Sequence, residues 1–235
     1  MKNRLFGIFS IIAITIMASA FCADAHSRVR FLDTRASRKF LTIGVRAGIN
    51  QSGKNWTNTD RMNTWKTGFR VGVIANLNFS NFLSLQPGFY FNNKSYDSVV
   101  LNDDASWAKE HTRFYTFSIP MQVQFHFNIA RNFRWNVGIA PVLTIGLGGN
   151  TTLSAIGQNI SKYRYIGETS NPAEVRNQCV DFGFEFSTGF TIAKHYEIGV
   201  SYTCGCINTI NDPDRLLKNI KGRNKEWSLF IGYNF

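Results

Sequence analysis

Six charged residues carry most of the chemistry that this sequence offers. Arg46, Arg70, Arg134, Asp181, Glu185 and Glu197 each stand at a polar position of a segment that otherwise alternates apolar and polar side chains. Three cations facing three anions can hold one another as ion pairs, where an isolated buried charge would be too costly. Arg134 and Glu197 each sit second in their segments, which puts both at the same end. Arg46 and Glu185 fall nearer the middle. A structural ion-pair network is the plain reading of this set, and a gate or proton path the sharper one.

Other chemistry finds no support in the residue spacing. His26, His111, His126 and His195 are scattered, without the spacing of metal ligands. No G-x-S-x-G is present. Gly146 to Gly149 is not followed by the Lys-Ser/Thr of a phosphate loop. With no nucleophile and base to pair, the chain is not read as an enzyme. No catalytic residue, cofactor or metal is expected.

The elements that would position the six charges are read from the N-terminus onward. Lys2 and Arg4 precede an apolar run from Leu5 to Met17, and two small-residue cleavage signals follow, Ala18-Ser19-Ala20 and Ala23-Asp24-Ala25. This is the pattern of a secretory leader, assigned to residues 1–25. Phe21 before Cys22 argues against a lipoprotein. Residues 26–39 are polar and basic, and are read as a mobile periplasmic tail. No later segment has the ~18 consecutive apolar residues of a membrane helix.

From residue 40 to 235 the chain alternates with period two, which sends successive side chains to opposite faces of a strand. In residues 115–127, Tyr115, Phe117, Ile119, Met121, Val123, Phe125 and Phe127 share one face, and Thr116, Ser118, Gln122, Gln124 and His126 the other. That is longer than the usual soluble strand of about 5–6 residues and suits a tilted bilayer crossing, which needs about 9–11. Residues 41–50, 67–79, 83–92, 133–147, 180–192, 196–206 and 227–235 follow the same rule. Eight such strands is an even number, as bacterial single-chain barrels have. The expected fold is therefore all-β, an eight-stranded antiparallel transmembrane barrel. Short periplasmic turns would alternate with long extracellular loops at residues 51–66, 93–112, 148–178 and 207–226. Phe79, Phe127, Phe133, Tyr196 and Phe235 gather at the short-turn side as an interfacial girdle. Eight strands enclose a lumen filled by its own side chains.

The expected location is the outer membrane of a Gram-negative cell. The net charge of +11 suggests lipid phosphates and lipopolysaccharide as partners rather than nucleic acid. A terminal aromatic, Phe235, reads as the signal for the barrel-assembly machinery. Cys179 and Cys206 lie near the outer ends of one hairpin. A disulfide between them is a further expectation, although the alternation turns them to opposite faces.

Several short motifs resemble one family. Gly44-Val-Arg-Ala-Gly-Ile-Asn50 is similar to its G-x-x-x-G-x-N opening, Leu85-Gln86-Pro87 to its third strand, and Tyr115 to Pro120 to its Y-x-x-I-P motif. Asp181-Phe182-Gly183 and the ending Gly232-Tyr233-Asn234-Phe235 also fit. In order, they resemble the PorT-like outer-membrane β-barrel family over nearly all of the chain beyond the leader. The resemblance implies the porin-like barrel fold and the outer membrane, and no catalytic residues. Four functions stay open: a structural or surface-binding barrel, a component of a surface-protein secretion and maturation system, a small transport pore, and a lipid-modifying enzyme.

Overall fold

The computed structural model describes residues 30–59, 61–101, 107–155, 158–169, 174–212 and 220–235. The expected leader lies outside the described residues. Among the described residues nine strands follow in chain order: β1 Leu41–Thr57, β2 Met62–Asn78, β3 Leu83–Leu101, β4 Trp107–Ala130, β5 Phe133–Ala155, β6 Gln158–Arg164, β7 Val180–Ile192, β8 Tyr196–Gly205 and β9 Lys221–Asn234. All strand pairs are antiparallel. The ladder β1-β2-β3-β4-β5-β7-β8-β9 closes through β9 onto β1, a ring of eight strands. β6 pairs only with the upper part of β5 and stands outside the ring.

Closure follows from the alternation. Leu41, Ile43, Val45 and Ile49 on β1, Phe69, Val71 and Val73 on β2, and Leu229 and Ile231 on β9 are exposed on the outside. The intervening Arg46, Asn50, Arg70, Ser228 and Asn234 are buried inside. So large an exposed apolar surface calls for a nonaqueous surrounding. In lipid, a sheet must close so that no edge leaves backbone groups unpaired.

Three expectations need correction. First, the segments expected as long loops at 51–66 and 93–112 are largely strand, and so is about half of 148–178. β1 runs on along β9, β2 along β3, β3 along β4, and β5 along both β4 and β6, well past the apolar belt as continuous ladders. Above the lipid the outward face no longer has to be apolar, so the alternation signal fades while the hydrogen-bond ladder runs on. Second, Phe133 is buried, stacked on Phe190 with centroids 5.1 Å apart, and does not join the exposed girdle of Phe79, Tyr196 and Phe235.

Third, residues 30–40 do not hang free. They cross the short-turn end of the barrel. Asn128 N donates to Phe31 O (3.0 Å), Asn81 N to Arg35 O (2.9 Å) and Asn78 N to Phe40 O (2.6 Å), and Ala36 bridges Ser80. The Phe31 ring stacks on Phe127. The Arg35 guanidinium clasps Asp33 in a bidentate pair and holds its carboxyl well below the usual carboxylate range.

Candidate functional site

The ring brings charged side chains from opposite walls together across a narrow lumen. Arg46 on β1 reaches Glu197 on β8, with Nη2 2.7 Å from Oε1. Arg70 on β2 reaches Glu185 on β7, four strands away around a ring of eight and so on the facing wall, at 2.5 Å. Tyr90 lies between the two arginines. Its hydroxyl accepts from Arg46 Nη1 at 3.3 Å, and its ring lies 3.9 Å from the Arg70 guanidinium carbon. Phe230 packs under Arg46 at 4.7 Å. Thr203 donates to Glu185 at 3.2 Å. Each of the four charges thus has an opposite charge, and Arg46, Arg70 and Glu185 have further polar or aromatic contacts, while both Glu197 oxygens go to Arg46, which is what desolvated ions require. A cavity between these side chains has a volume of only about 10 Å³, and one farther up, beside Lys94 and Asp181, about 20 Å³, room for a water molecule or so each.

The pairing differs from the depth grouping expected from sequence. Glu197 lies in one ladder row with both candidates: Arg134 through Thr191 on one side, and Arg46 through Gly232 on the other. Gly232 has no side chain, and the Arg46 stem lies across it, where an added Cβ would stand 2.9 Å from Arg46 Cγ. Thr191 fills the corresponding gap on the Arg134 side and accepts a hydrogen bond from Asn136. Glu197 therefore goes to Arg46. Among the described residues Arg134 has neither a hydrogen bond nor an ion pair. Asp181 accepts from Asn224 at 2.8 Å and likewise has no ion pair.

Sequence reading missed a second layer of charges, toward the extended end. Lys94 pairs with Glu226 (2.6 Å) and Arg61 with Glu110 (2.5 Å), all four side chains being buried. Lys54 is fully buried, donates to the Asn177 side-chain oxygen and faces the Trp56 ring. The same period of two would have found Lys94, by counting on from Ser84, Gln86, Tyr90 and Asn92.

Above this layer the extended end is roofed. Phe114 and Tyr165 stack at 4.2 Å beside Tyr96, while Val175 and Ile210 pack with Trp56 and Ile220. Asn177 ties the roof together, pairing with Ile166 on one side and Ile210 on the other.

The short-turn end is open. A cup of about 720 Å³ runs up from the rim to the Arg46–Glu197 pair. Its wall carries the amides of Asn76, Gln86, Gln124 and Asn136, together with His126, which hydrogen-bonds Ser84 and Asn136 at 2.8 Å each. Arg134 projects into it, and Arg38, Lys39 and Lys194 surround its mouth.

Residues 27–211 match the family described as outer membrane protein beta-barrel domain. The chain belongs to that family. This barrel lies in the outer membrane, its short turns on the periplasmic side and its extended strands on the extracellular side. Solved structures of low identity share its outline. They include OprG from Pseudomonas aeruginosa (12% identity, 86% of this chain and 97% of that chain covered, TM-score 0.48). Neisserial surface protein A (13%, 82% and 97%, TM-score 0.43) is another. A third is Ail of Yersinia pestis in complex with the heparin analogue sucrose octasulfate (14%, 84% and 100%, TM-score 0.40). No curated protein matches the chain significantly.

In this barrel Cys179, Cys204 and Cys206 are all free and exposed. The expected Cys179–Cys206 bridge is therefore not formed. Among the described residues no cluster of three or more His, Cys, Asp or Glu side chains could hold a metal. Phe235 sits at the periplasmic rim, its N–H donating to Ile43 O at 2.9 Å and its ring edge-on to Tyr233.

Proposed function

We propose that this outer-membrane barrel is a non-conducting binding protein whose working surface is the strand-built extension above the lipid. The observation that carries this reading is the blocked lumen. Arg46–Glu197, Tyr90 and Arg70–Glu185 fill its middle, and the Phe114–Tyr165 roof covers its extracellular end. A small transport pore fits that interior poorly. The extension offers instead an exposed basic face: Arg113 on β4, Asn150 on β5 and Arg164 on β6 stand side by side in one ladder row, with Lys162 nearby. Its chemistry suits the phosphates of lipopolysaccharide, as the net positive charge suggests. No enzymatic reaction is part of this reading. The test is single-channel recording on purified protein in planar bilayers, alongside retention on immobilised lipopolysaccharide. Silent bilayers with saturable retention are expected, and stable large conductance would overturn the reading.

A second reading, a protein-assembly role in a surface-protein secretion system, is favoured by the ordered motifs from Gly44 to Phe235 that resemble the PorT-like family. Deleting the gene and assaying release of secreted surface proteins distinguishes the two. Both readings take residues 1–25 as the export leader and Phe235 as the assembly signal.

A further inference from the structure

The periplasmic cup has no part in extracellular binding, and its residues call for a ligand of their own. Arg134 projects into a volume of about 720 Å³ with no direct hydrogen bond or ion pair among the described residues, and the carboxylate that acts on it from a distance, Asp33, is already clasped by Arg35. Small-molecule sites commonly measure about 300–1,000 Å³. Arg38 and Lys39, exposed on the segment that crosses the mouth, and Lys194 on the β7–β8 turn add three more cations to its lining. The acids nearby are already engaged. Glu197 at the floor is paired with Arg46, and both Asp33 oxygens are held, by Arg35 and Asn81. The cup thus keeps an excess of positive charge. Its wall also holds an unmet acceptor: Gln86 is buried, its amide nitrogen is used on Asn76 and Gln124, and its Oε1 accepts nothing among the described residues. A buried acceptor without a donor is costly to leave so.

We propose that the periplasmic cup binds a phosphate ester carrying hydroxyl groups, its phosphate held by Arg134 with Arg38, Lys39 and Lys194, and a hydroxyl donating to Gln86 Oε1. A guanidinium offers paired N–H donors matched to phosphate oxygens, while lysines contribute charge from flexible stems. The ester is either a soluble periplasmic compound or the headgroup of a glycerophospholipid of the inner leaflet.

The probe is sn-glycerol 3-phosphate, titrated calorimetrically into the purified protein in phosphatidylcholine nanodiscs, and again with phosphatidylglycerol added to the lipid. Saturable binding is expected in phosphatidylcholine, weakened about tenfold or more by Arg134→Gln, as loss of a charge-assisted hydrogen bond implies. Arg134→Lys should restore part of it. Lys39→Gln, on an exposed segment that leaves the barrel wall intact, should weaken it too, and Arg223→Gln at the opposite end should leave it unchanged. If phosphatidylglycerol competes, the natural source is the lipid headgroup; if it does not, the source is soluble. Absence of saturable binding in phosphatidylcholine up to about 10 mM, weaker than any affinity of about 1 mM would allow, overturns the proposal. So does binding indifferent to both Arg134→Gln and Lys39→Gln. Neither result touches the extracellular reading, which rests on the other end of the barrel.

Discussion

Arg46 on β1 and Glu197 on β8 meet over Gly232 of the intervening β9, sharing one ladder row and a nitrogen–oxygen distance of 2.7 Å. Both are buried, so removing one leaves the other desolvated and unpaired. Arg46→Met is expected to destabilise the barrel by about 3–5 kcal/mol, the usual cost of orphaning a buried charge. Arg46→Met with Glu197→Gln should cost clearly less than the sum of the single changes. Urea unfolding in lipid vesicles, followed by Trp fluorescence, measures the cycle. Additive losses would mean that the pair does not act as a unit.

Tyr90 owes its place between the arginines to two glycines. A Cβ on Gly88 would lie 2.6 Å from the Tyr90 ring and one on Gly72 2.5 Å from it. Gly88 has only side-chain atoms as near neighbours, the Tyr90 ring and Pro120, so Gly88→Ala tests the ring rather than the ladder. The added methyl must push Tyr90 toward Arg70, an overpacking effect worth about 1–3 kcal/mol. A lower unfolding midpoint is expected, and Gly88→Ala with Tyr90→Phe should not recover it, because the ring remains. Tyr90→Leu in the same background should recover part.

The ring and its inward face were legible in the sequence because lipid imposes a strict rule on the membrane belt: alternate residues must be apolar, and the others must line the lumen. Arg46, Arg70, Glu185 and Glu197 were placed on the lumen side by that rule alone. Their partners were not, because counting from strand ends ignores the stagger between neighbours, which sets Arg46, sixth in its strand, level with Glu197, second in its own. Lys94, Glu226 and Lys54 were missed for a different reason. They lie where the outward neighbours become polar, and the apolar half of the signal disappears. The docking of residues 30–40 left almost no signal, since it rests mainly on backbone hydrogen bonds and on Phe31 meeting Phe127.

Docking of that segment should survive acid to an unusual degree. Asp33 is clasped by Arg35 and hydrogen-bonded by Asn81, and its carboxyl titrates well below the usual range. A depressed native pKa contributes stability that is present above the unfolded value of about 3.9 and is lost only as pH falls toward the native one. Proteolytic sensitivity of the segment should therefore stay flat from neutral pH to about 4 and rise below that. Asp33→Asn should be more sensitive already at neutral pH. Equal sensitivity of the two proteins at pH 7 would remove Asp33 as the clasp.

Phe235 closes β9 onto β1 through its N–H to Ile43 O, while its ring is exposed at the periplasmic rim. An exposed terminal aromatic adds little packing, so its expected role is in assembly. Deleting Phe235 should reduce the fraction of heat-modifiable folded protein in cell membranes, yet change the unfolding midpoint of the refolded chain only slightly. A normal folded fraction in cells would end the assembly role; a large loss of stability in vitro would make the residue structural instead.

The plug itself can be opened by design. Arg70 reaches the facing wall, and Arg46 fills the space beside it, with Tyr90 between them. Arg134 lies lower, in the periplasmic cup, and blocks nothing above the Arg46–Glu197 floor. In planar bilayers the unaltered protein is therefore expected to be silent, and Arg134→Ala silent as well. Arg46→Ala with Arg70→Ala leaves Glu185 and Glu197 as two unpaired carboxylates beside a widened lumen. Any current through that double variant should be small and cation-selective, because the charges left lining the gap are negative. The roof of Phe114 and Tyr165 would still stand in the way, so adding Tyr165→Ala should raise the conductance further. Conductance in Arg134→Ala alone would place the constriction in the cup rather than at the ion pairs. Silence of the triple variant, with a normal heat-modifiable band, would show that other side chains fill the lumen.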